Sequence, residues 1–392
     1  MYSFQFEIPT TSLILFLTAG LLVVLLIFIY LRPLWKIANR VAGSEKSELT
    51  PSGDVPVSVI IFASDEAEAL RRLLPSILGQ KYHAPFEVIV VNEGQSDSTA
   101  EIVERLKLIH DNLYLTYTPD GARQLSRKKL ALMIGIKAAR YPVIVHTTAT
   151  GVIDSDEWLA HITEPFRNPE VEVVLGYSSI DSSEDKGFGK RSRIFNSVSD
   201  DVPWINAALA GKPYRGQELN LAYTREAFFR NRGFSHSLNL KYGDDDIFIN
   251  EITSRDNTRV VLHPDSMVKR KAWNVKRSYR QLRSRYRFTG RFLPKTARLL
   301  QTLGSLLLWI ISILSIVGAF LMLPNLLGVV IGAIIVFGVC ITSVLLWRRT
   351  ISSLTCKKLM FSLVPLIYGL PLSNAIAAFK SMRKRKYNYT WN

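Results

Sequence analysis

Cysteine is scarce in this chain, and acids are scarce relative to bases. Its 392 residues include two cysteines, and 33 Asp and Glu stand against 49 Lys and Arg, a net charge of +16. Cys340 and Cys356 lie in or beside long apolar runs, which excludes a disulfide framework and a cysteine-built metal cluster. There is no tandem repeat and no long low-complexity tract. The basic excess would suit nucleic acid, but the apolar runs point to a different partner.

Residues 12–31, 303–323 and 326–347 are almost wholly apolar and long enough to span a bilayer. Residues 360–379 form a weaker run, interrupted by Pro365, Gly369 and Pro371. Only Glu7 precedes the first run, and Arg32, Lys36 and Arg40 follow it. That reads as an anchor rather than a signal peptide, with residues 32–302 in the cytoplasm. Arg348, Arg349, Lys357 and Lys358 are cytoplasmic if the loop at 324–325 is outside. A fourth full crossing would put the basic tail at 380–386 outside. A broken, re-entrant or interfacial segment after Pro371 would resolve that conflict. The expected partner of the positive charge is therefore a membrane with anionic lipids, not nucleic acid. Nothing in the sequence sets an oligomeric state.

The organisation that follows is an anchor at 1–40 and a linker at 41–56 containing Gly43, Ser47, Pro51 and Gly53. An α/β domain at 57–268 comes next, then a basic interfacial segment at 269–302 and a C-terminal membrane region with its tail at 303–392. In the domain, residues 57–62, 87–91, 113–117, 143–147 and 171–175 are β-branched and apolar and read as buried strands. Leu70, Leu73, Leu74, Ile77 and Leu78 fall at helical spacing, as do apolar residues of 130–139. Strands alternating with helices predict a mostly parallel sheet covered on both faces. Ligands in such sheets bind at the carboxyl ends of the strands. That rule points at Ser64-Asp65-Glu66, at Asn92-Glu93 and at Thr148-Ala149-Thr150.

The segments VSVIIFASDE, VIVVNEGQSDST, KKLALMIGIKAA, NLAYTREAFF, KYGDDDIFINEI and NTRVVLHPD occur in this order and spacing. In them the chain resembles the family-2, inverting glycosyltransferases, above all the membrane-anchored bacterial subgroup, over about residues 57–290 and the flanking spans. The resemblance implies a glycosyltransferase A-type, nucleotide-sugar-binding domain at the inner membrane. It further implies a nucleotide-sugar donor, usually with a divalent metal such as Mg or Mn, and direct displacement at the anomeric carbon. Asp65 and Glu66 then stand where the first loop meets the nucleotide, although Asp65 could equally cap the helix that follows. Asn92 and Glu93 match the acidic turn after the second strand. Gly243-Asp244-Asp245-Asp246 matches the motif that supplies the general base, with Asp245 the first choice and Asp246 the second. Three acids at a helix N-terminus are the plainer account of the same residues. Lys128, Arg285 and Tyr286 are expected near the donor diphosphate. Arg285 and Tyr286 fall where the family has an Arg–aromatic pair, but its Gln is Leu282 here, with Gln281 one residue earlier. The rest of 269–298, basic with Trp273, Tyr279, Phe288 and Phe292 interleaved, reads as a membrane-interface segment.

Other features depart from the family. Its metal-binding carboxylates are replaced by Thr148 and Thr150, whose neutral hydroxyls suit a divalent metal poorly. Asp154-Ser155-Asp156 lies several residues on and reads as the start of the helix at Trp158. Around Arg215-Gly216-Gln217-Glu218-Leu219 and at Met133 the donor side also departs from the pattern. The expected activity is transfer of a sugar to a lipid-linked or envelope-glycan acceptor. Few spans and the altered Gln–Arg–aromatic motif argue against a processive synthase with its own channel. The rival reading is a pseudoenzyme serving as a binding or scaffold subunit of an envelope-glycan assembly. Between them stands a metal-independent transferase in which basic side chains neutralise the leaving phosphate.

Overall fold

The computed structural model describes residues 9–46, 54–64, 66–93, 97–119, 126–183, 185, 189–272, 274–355, 357, 359 and 362–382. Asp65, Gly94, Trp273 and Cys356 lie outside the described residues. The chain divides into two compact units, one of residues 1–39 with 295–378 and one of residues 40–294 with 379–392. The second apolar run begins earlier than residue 303, in a helix that starts at Thr296.

Among the described residues the second unit holds ten strands: β1 (Val57–Ala63), β2 (Phe86–Asn92), β3 (Leu113–Tyr117), β4 (Val143–Thr148), β5 (Gly151–Val152), β6 (Val173–Gly176), β7 (Ser178–Ile180), β8 (Leu221–Thr224), β9 (Thr258–Val261) and β10 (Val268–Arg270). Seven form one sheet in the order β3-β2-β1-β4-β8-β6-β9. β1, β2, β3 and β4 pair in parallel. β8 runs antiparallel to both β4 and β6, which the alternating pattern did not announce. Its reversal has a positional effect. Leu221, at the start of β8, lies opposite His146 near the carboxyl end of β4. The residues leading into β8 therefore arrive at the ligand-binding edge of the sheet. β5, β10 and β7 make a small second sheet beside it.

Both faces of the large sheet are covered, as its β-branched runs require. On one side Val57, Val59 and Ile61 join Leu70, Leu73, Leu74 and Ile77 of the helix Ala67–Leu78 in one core cluster. On the other, the helix Arg127–Ala138 lies close enough that a Cβ on Gly135 would come within 2.8 Å of Ile60 and 3.0 Å of Val91.

Among the described residues three helical stretches are long and apolar enough to cross a membrane, Thr10–Glu45, Thr296–Leu321 and Leu326–Thr355, and all but the end of the first belong to the first unit. Small residues let these helices approach. A Cβ on Gly304 would meet the Tyr30 ring at 2.6 Å, and one on Gly332 would meet the Ser315 carbonyl at 2.8 Å. Trp347 Nε1 donates to Tyr30 Oη at 3.0 Å. The expectation of a break at Pro371 is corrected: Leu363–Met382 is one helix with Pro371 inside it. Ser353 lies within the helix Leu326–Thr355.

Candidate active site

Four segments converge near the carboxyl end of β4, where Thr147 Oγ1 donates to the Leu219 carbonyl at 3.0 Å. The helix Arg127–Ala138 brings Lys128 and the approach to β8 brings Glu218. A turn brings Asp244, Asp245 and Asp246, and the helix Val275–Thr289 brings Arg285 and Tyr286. The acidic turn depends on Gly243, at φ +115°, where a Cβ would press within 2.9 Å of Ile247; only glycine adopts that backbone without strain.

Asp245 has no exposed surface. Its Oδ1 accepts from Arg285 Nη2 at 2.6 Å, and its Oδ2 accepts from the Tyr286 hydroxyl at 2.7 Å and the Glu218 N–H at 3.1 Å. Arg285 also donates to Glu218 at 2.5 Å and Asp244 at 3.1 Å. Lys128 bridges Glu218 and Asp244, the latter at 2.5 Å. Arg270 of β10 closes the group on Glu218 at 2.6 Å.

Burial opposes the charge of every member, and the neighbours decide the outcome. For Asp245, burial prevails over Arg285, with Asp244 and Asp246 adding repulsion, and its pKa rises to about 6. For Glu218 burial is outweighed by Arg285, Lys128 and Arg270, and for Asp244 by Lys128 and Arg285, so both lie below the usual carboxylate range. Burial also works against the charge of Lys128, but Asp244 and Glu218 more than offset it, and its pKa is raised. Tyr286 is pushed far up, first by burial and then by Asp245, so its hydroxyl keeps its proton and stays a donor.

The structure thus brings together Lys128, Asp245, Arg285 and Tyr286 of the expected residues. Asp246 is beside them, but its Oδ1 accepts from the Ile247 N–H at 2.7 Å as a helix cap, the plainer of the two roles considered. Glu66 makes no side-chain hydrogen bond or ion pair with the group among the described residues. Even so, its pKa is raised by burial and then by Glu218, against the pull of Arg270 and Lys128. Asn92 is fully buried at the end of β2, and Glu93 pairs with Arg127 at 3.3 Å.

Several participants were not singled out from the sequence. Glu218 is the hub carboxylate. Arg215 lies 3.4 Å over the Tyr286 ring and 3.4 Å from Asp201, backing the residue that donates to Asp245. Lys129, fully buried, donates to the carbonyls of Ser237, Leu240 and Tyr242 and to Ser237 Oγ. It thereby fixes the segment that leads into the acidic turn. His146 alternates onto the same face of β4 as Thr148 and is kept neutral by burial and then by Lys128, its pKa lowered to about 3.

The residues do not fit a divalent metal. Thr148 Oγ1 and Thr150 Oγ1 hydrogen-bond each other at 3.0 Å, and the carboxylates of Glu218, Asp244 and Asp245 are held by fixed cations. Among the described residues, the His/carboxylate group compact enough to hold a metal is His161, His263 and Asp265, on other elements. The helix does start at Trp158, but Asp154 and Asp156 do not cap it. Their side chains pair with Lys269 at 2.5 Å and Lys81 at 2.7 Å, and it is Ser155 Oγ that accepts the Glu157 N–H at 3.2 Å.

Comparison with known proteins agrees with this geometry. Residues 58–238 match the model of glycosyl transferase family 2. The poly-beta-1,6-N-acetyl-D-glucosamine synthase of Staphylococcus epidermidis is 32% identical over 121 residues. That of Staphylococcus aureus strain COL is 27% identical over 120 residues. Each of these alignments covers 31% of this chain and 28% of the relative. A mannosyltransferase from Pyrobaculum calidifontis, solved with GDP-Man and Mn2+, superposes with a TM-score of 0.56. The superposition covers 95% of this chain and 100% of that one at 19% identity, a likeness of fold. Residues 58–238 thus match glycosyl transferase family 2 over somewhat under half of the chain, and the fold around them, a mostly parallel sheet with β8 reversed, is glycosyltransferase A-like.

Proposed function

We propose that this chain transfers a sugar from a nucleotide diphosphate donor to a lipid-linked or envelope-glycan acceptor, with its catalytic domain on the cytoplasmic face of the inner membrane. The observation that carries this reading is Asp245, gripped by Arg285 and Tyr286 with its pKa raised to about 6. A base poised just below neutrality is ionised at pH 7 yet takes a proton readily. The acceptor oxygen bonds to the anomeric carbon while the carbon–oxygen bond to the diphosphate breaks. The bonding pair leaves with the nucleoside diphosphate, and the acceptor's proton goes to Asp245. Because Asp245 is fully buried, the acceptor hydroxyl reaches it as Tyr286 or Arg285 yields its place. Losing either donor destabilises the anion and makes the base stronger. Asp65, Glu66, Asn92 and Glu93 are assigned to the nucleotide, and Lys128, Arg285 and Tyr286 to the diphosphate side. The GDP-Man of the mannosyltransferase neighbour supports a nucleotide-sugar donor. The retained acidic turn and its clamp speak against a pseudoenzyme.

The test is Asp245→Asn. The amide keeps the shape but cannot take the proton, and transfer should fall by about a hundredfold to ten-thousandfold. Nucleotide binding and the unfolding midpoint serve as controls. Full transfer by both Asp245→Asn and Asp246→Asn would remove the base from this reading. Product length, measured in the same assay, separates single transfer from polymer synthesis.

A further inference from the structure

We propose that Arg270, seconded by Lys128, takes over on the donor diphosphate the electrostatic work that the family gives to a divalent metal. This rests on the donor reading above. The placement comes from the backbone. Arg270 lies opposite Gly151 in the antiparallel pair of β10 and β5, and the Lys271 N–H donates to the Thr150 carbonyl at 2.9 Å. β10 therefore runs directly beside Thr148-Ala149-Thr150, the segment that would carry the metal ligands. Gly151 sets no side chain against Arg270. The guanidinium is largely buried, 15% exposed, and reaches Glu218 at 2.6 Å. That carboxylate also gathers Lys128 and Arg285. The charges of Arg270 and Lys128 are felt at Glu66, on the expected nucleotide side. One cation thus spans the ground between the former metal position and the nucleotide loop.

The chemistry of the substitution is coherent. A metal needs anionic ligands to hold it, whereas a guanidinium is held by its own chain. Its planar fork of N–H donors matches two phosphate oxygens. Carboxylates at 148 and 150 would neutralise Arg270, and here both positions carry neutral hydroxyls. Glu218 is the counter-ion of the donor-free protein. When a diphosphate enters, Arg270 exchanges one anion for another, and the negative charge that builds on the leaving oxygen meets a fixed positive group.

Calorimetry of the full chain in detergent tests this, with UDP, GDP, ADP, CDP and dTDP, each in excess EDTA and each with Mn2+. At least one nucleotide is expected to bind equally well in both conditions. Arg270→Ala should weaken it about ten- to hundredfold, the change for losing a hydrogen bond between charged groups, and Arg270→Lys should restore part. A second variant, Thr148→Asp with Thr150→Asp, leaves Arg270 in place and should weaken binding in EDTA by neutralising it. Binding that requires Mn2+, or that ignores both sets of variants, overturns the role of Arg270 while leaving the transferase reading intact. Binding of no nucleotide in either condition overturns the donor reading itself, and this proposal with it.

Discussion

At the scale of single residues, the site is a group of coupled ionisations, and its pH response follows. As the proposed base, Asp245 works only when ionised, and its pKa is raised to about 6. Turnover should therefore fall as the pH drops through about 6, rather than near the unperturbed aspartate value of about 3.9. The apparent value belongs to the cluster, since the carboxylates of Glu218, Asp244 and Asp245 interact with one another beside a permanently charged Arg285. Tyr286→Phe removes a hydrogen bond to the anion, so the acid limb of the pH–rate profile should move to higher pH. A limb that stays put would show that Tyr286 does not tune the base. Lys129→Met strips donors from the carbonyls of Ser237, Leu240 and Tyr242. Its expected cost, read from thermal or denaturant unfolding, is about 3 kcal/mol, the scale for leaving buried acceptors unpaired. The sequence made Asp245, Arg285 and Tyr286 legible because they sit in spelled motifs. It could not separate Lys128 from Lys129, which are identical neighbours. Consecutive helical positions point about 100° apart, and only the fold sends one to the acids and the other to the carbonyls. Glu218 was illegible for a related reason, since its cationic partners lie 52, 67 and 90 positions away.

At the scale of elements, the helix Arg127–Ala138 couples packing to chemistry. It carries Lys128 and Lys129 at one end and rests Gly135 on Ile60 and Val91 near the other. Gly135→Val should overpack this contact and destabilise the full chain by about 1–3 kcal/mol, read as a lowered unfolding midpoint in detergent. Nucleotide affinity should fall with it, because Lys128 moves with the helix; unchanged affinity would separate the two ends. The long β-branched strands β1, β2 and β4 were readable because both sheet faces are covered, so each carries a run of apolar residues on consecutive positions. β8 was not. Its four residues, Leu221–Thr224, are too few to show a period, and nothing in their composition encodes direction. Helix Leu363–Met382 misled in the opposite way. Pro371 lies inside a helix, where its missing N–H and ring bulk usually mark a break.

At the scale of the whole molecule, the basic residues beside the spans are the reading most open to direct test. A reporter fused near Gly53 should behave as cytoplasmic, in keeping with Arg32, Lys36 and Arg40 after the first span. A periplasmic signal there would invert the membrane assignment and place the domain away from cytoplasmic nucleotide sugars. The first unit is built from two separate stretches, residues 1–39 and 295–378, and residues 40–294 of the second unit fall between them in the sequence. Nature tolerates such insertions readily, and this one has a consequence for handling. A single protease cut in the stretch around residues 47–53 removes one tether only, and the domain stays in the membrane pellet through its downstream helices. Release into the supernatant takes a second cut, near Lys295.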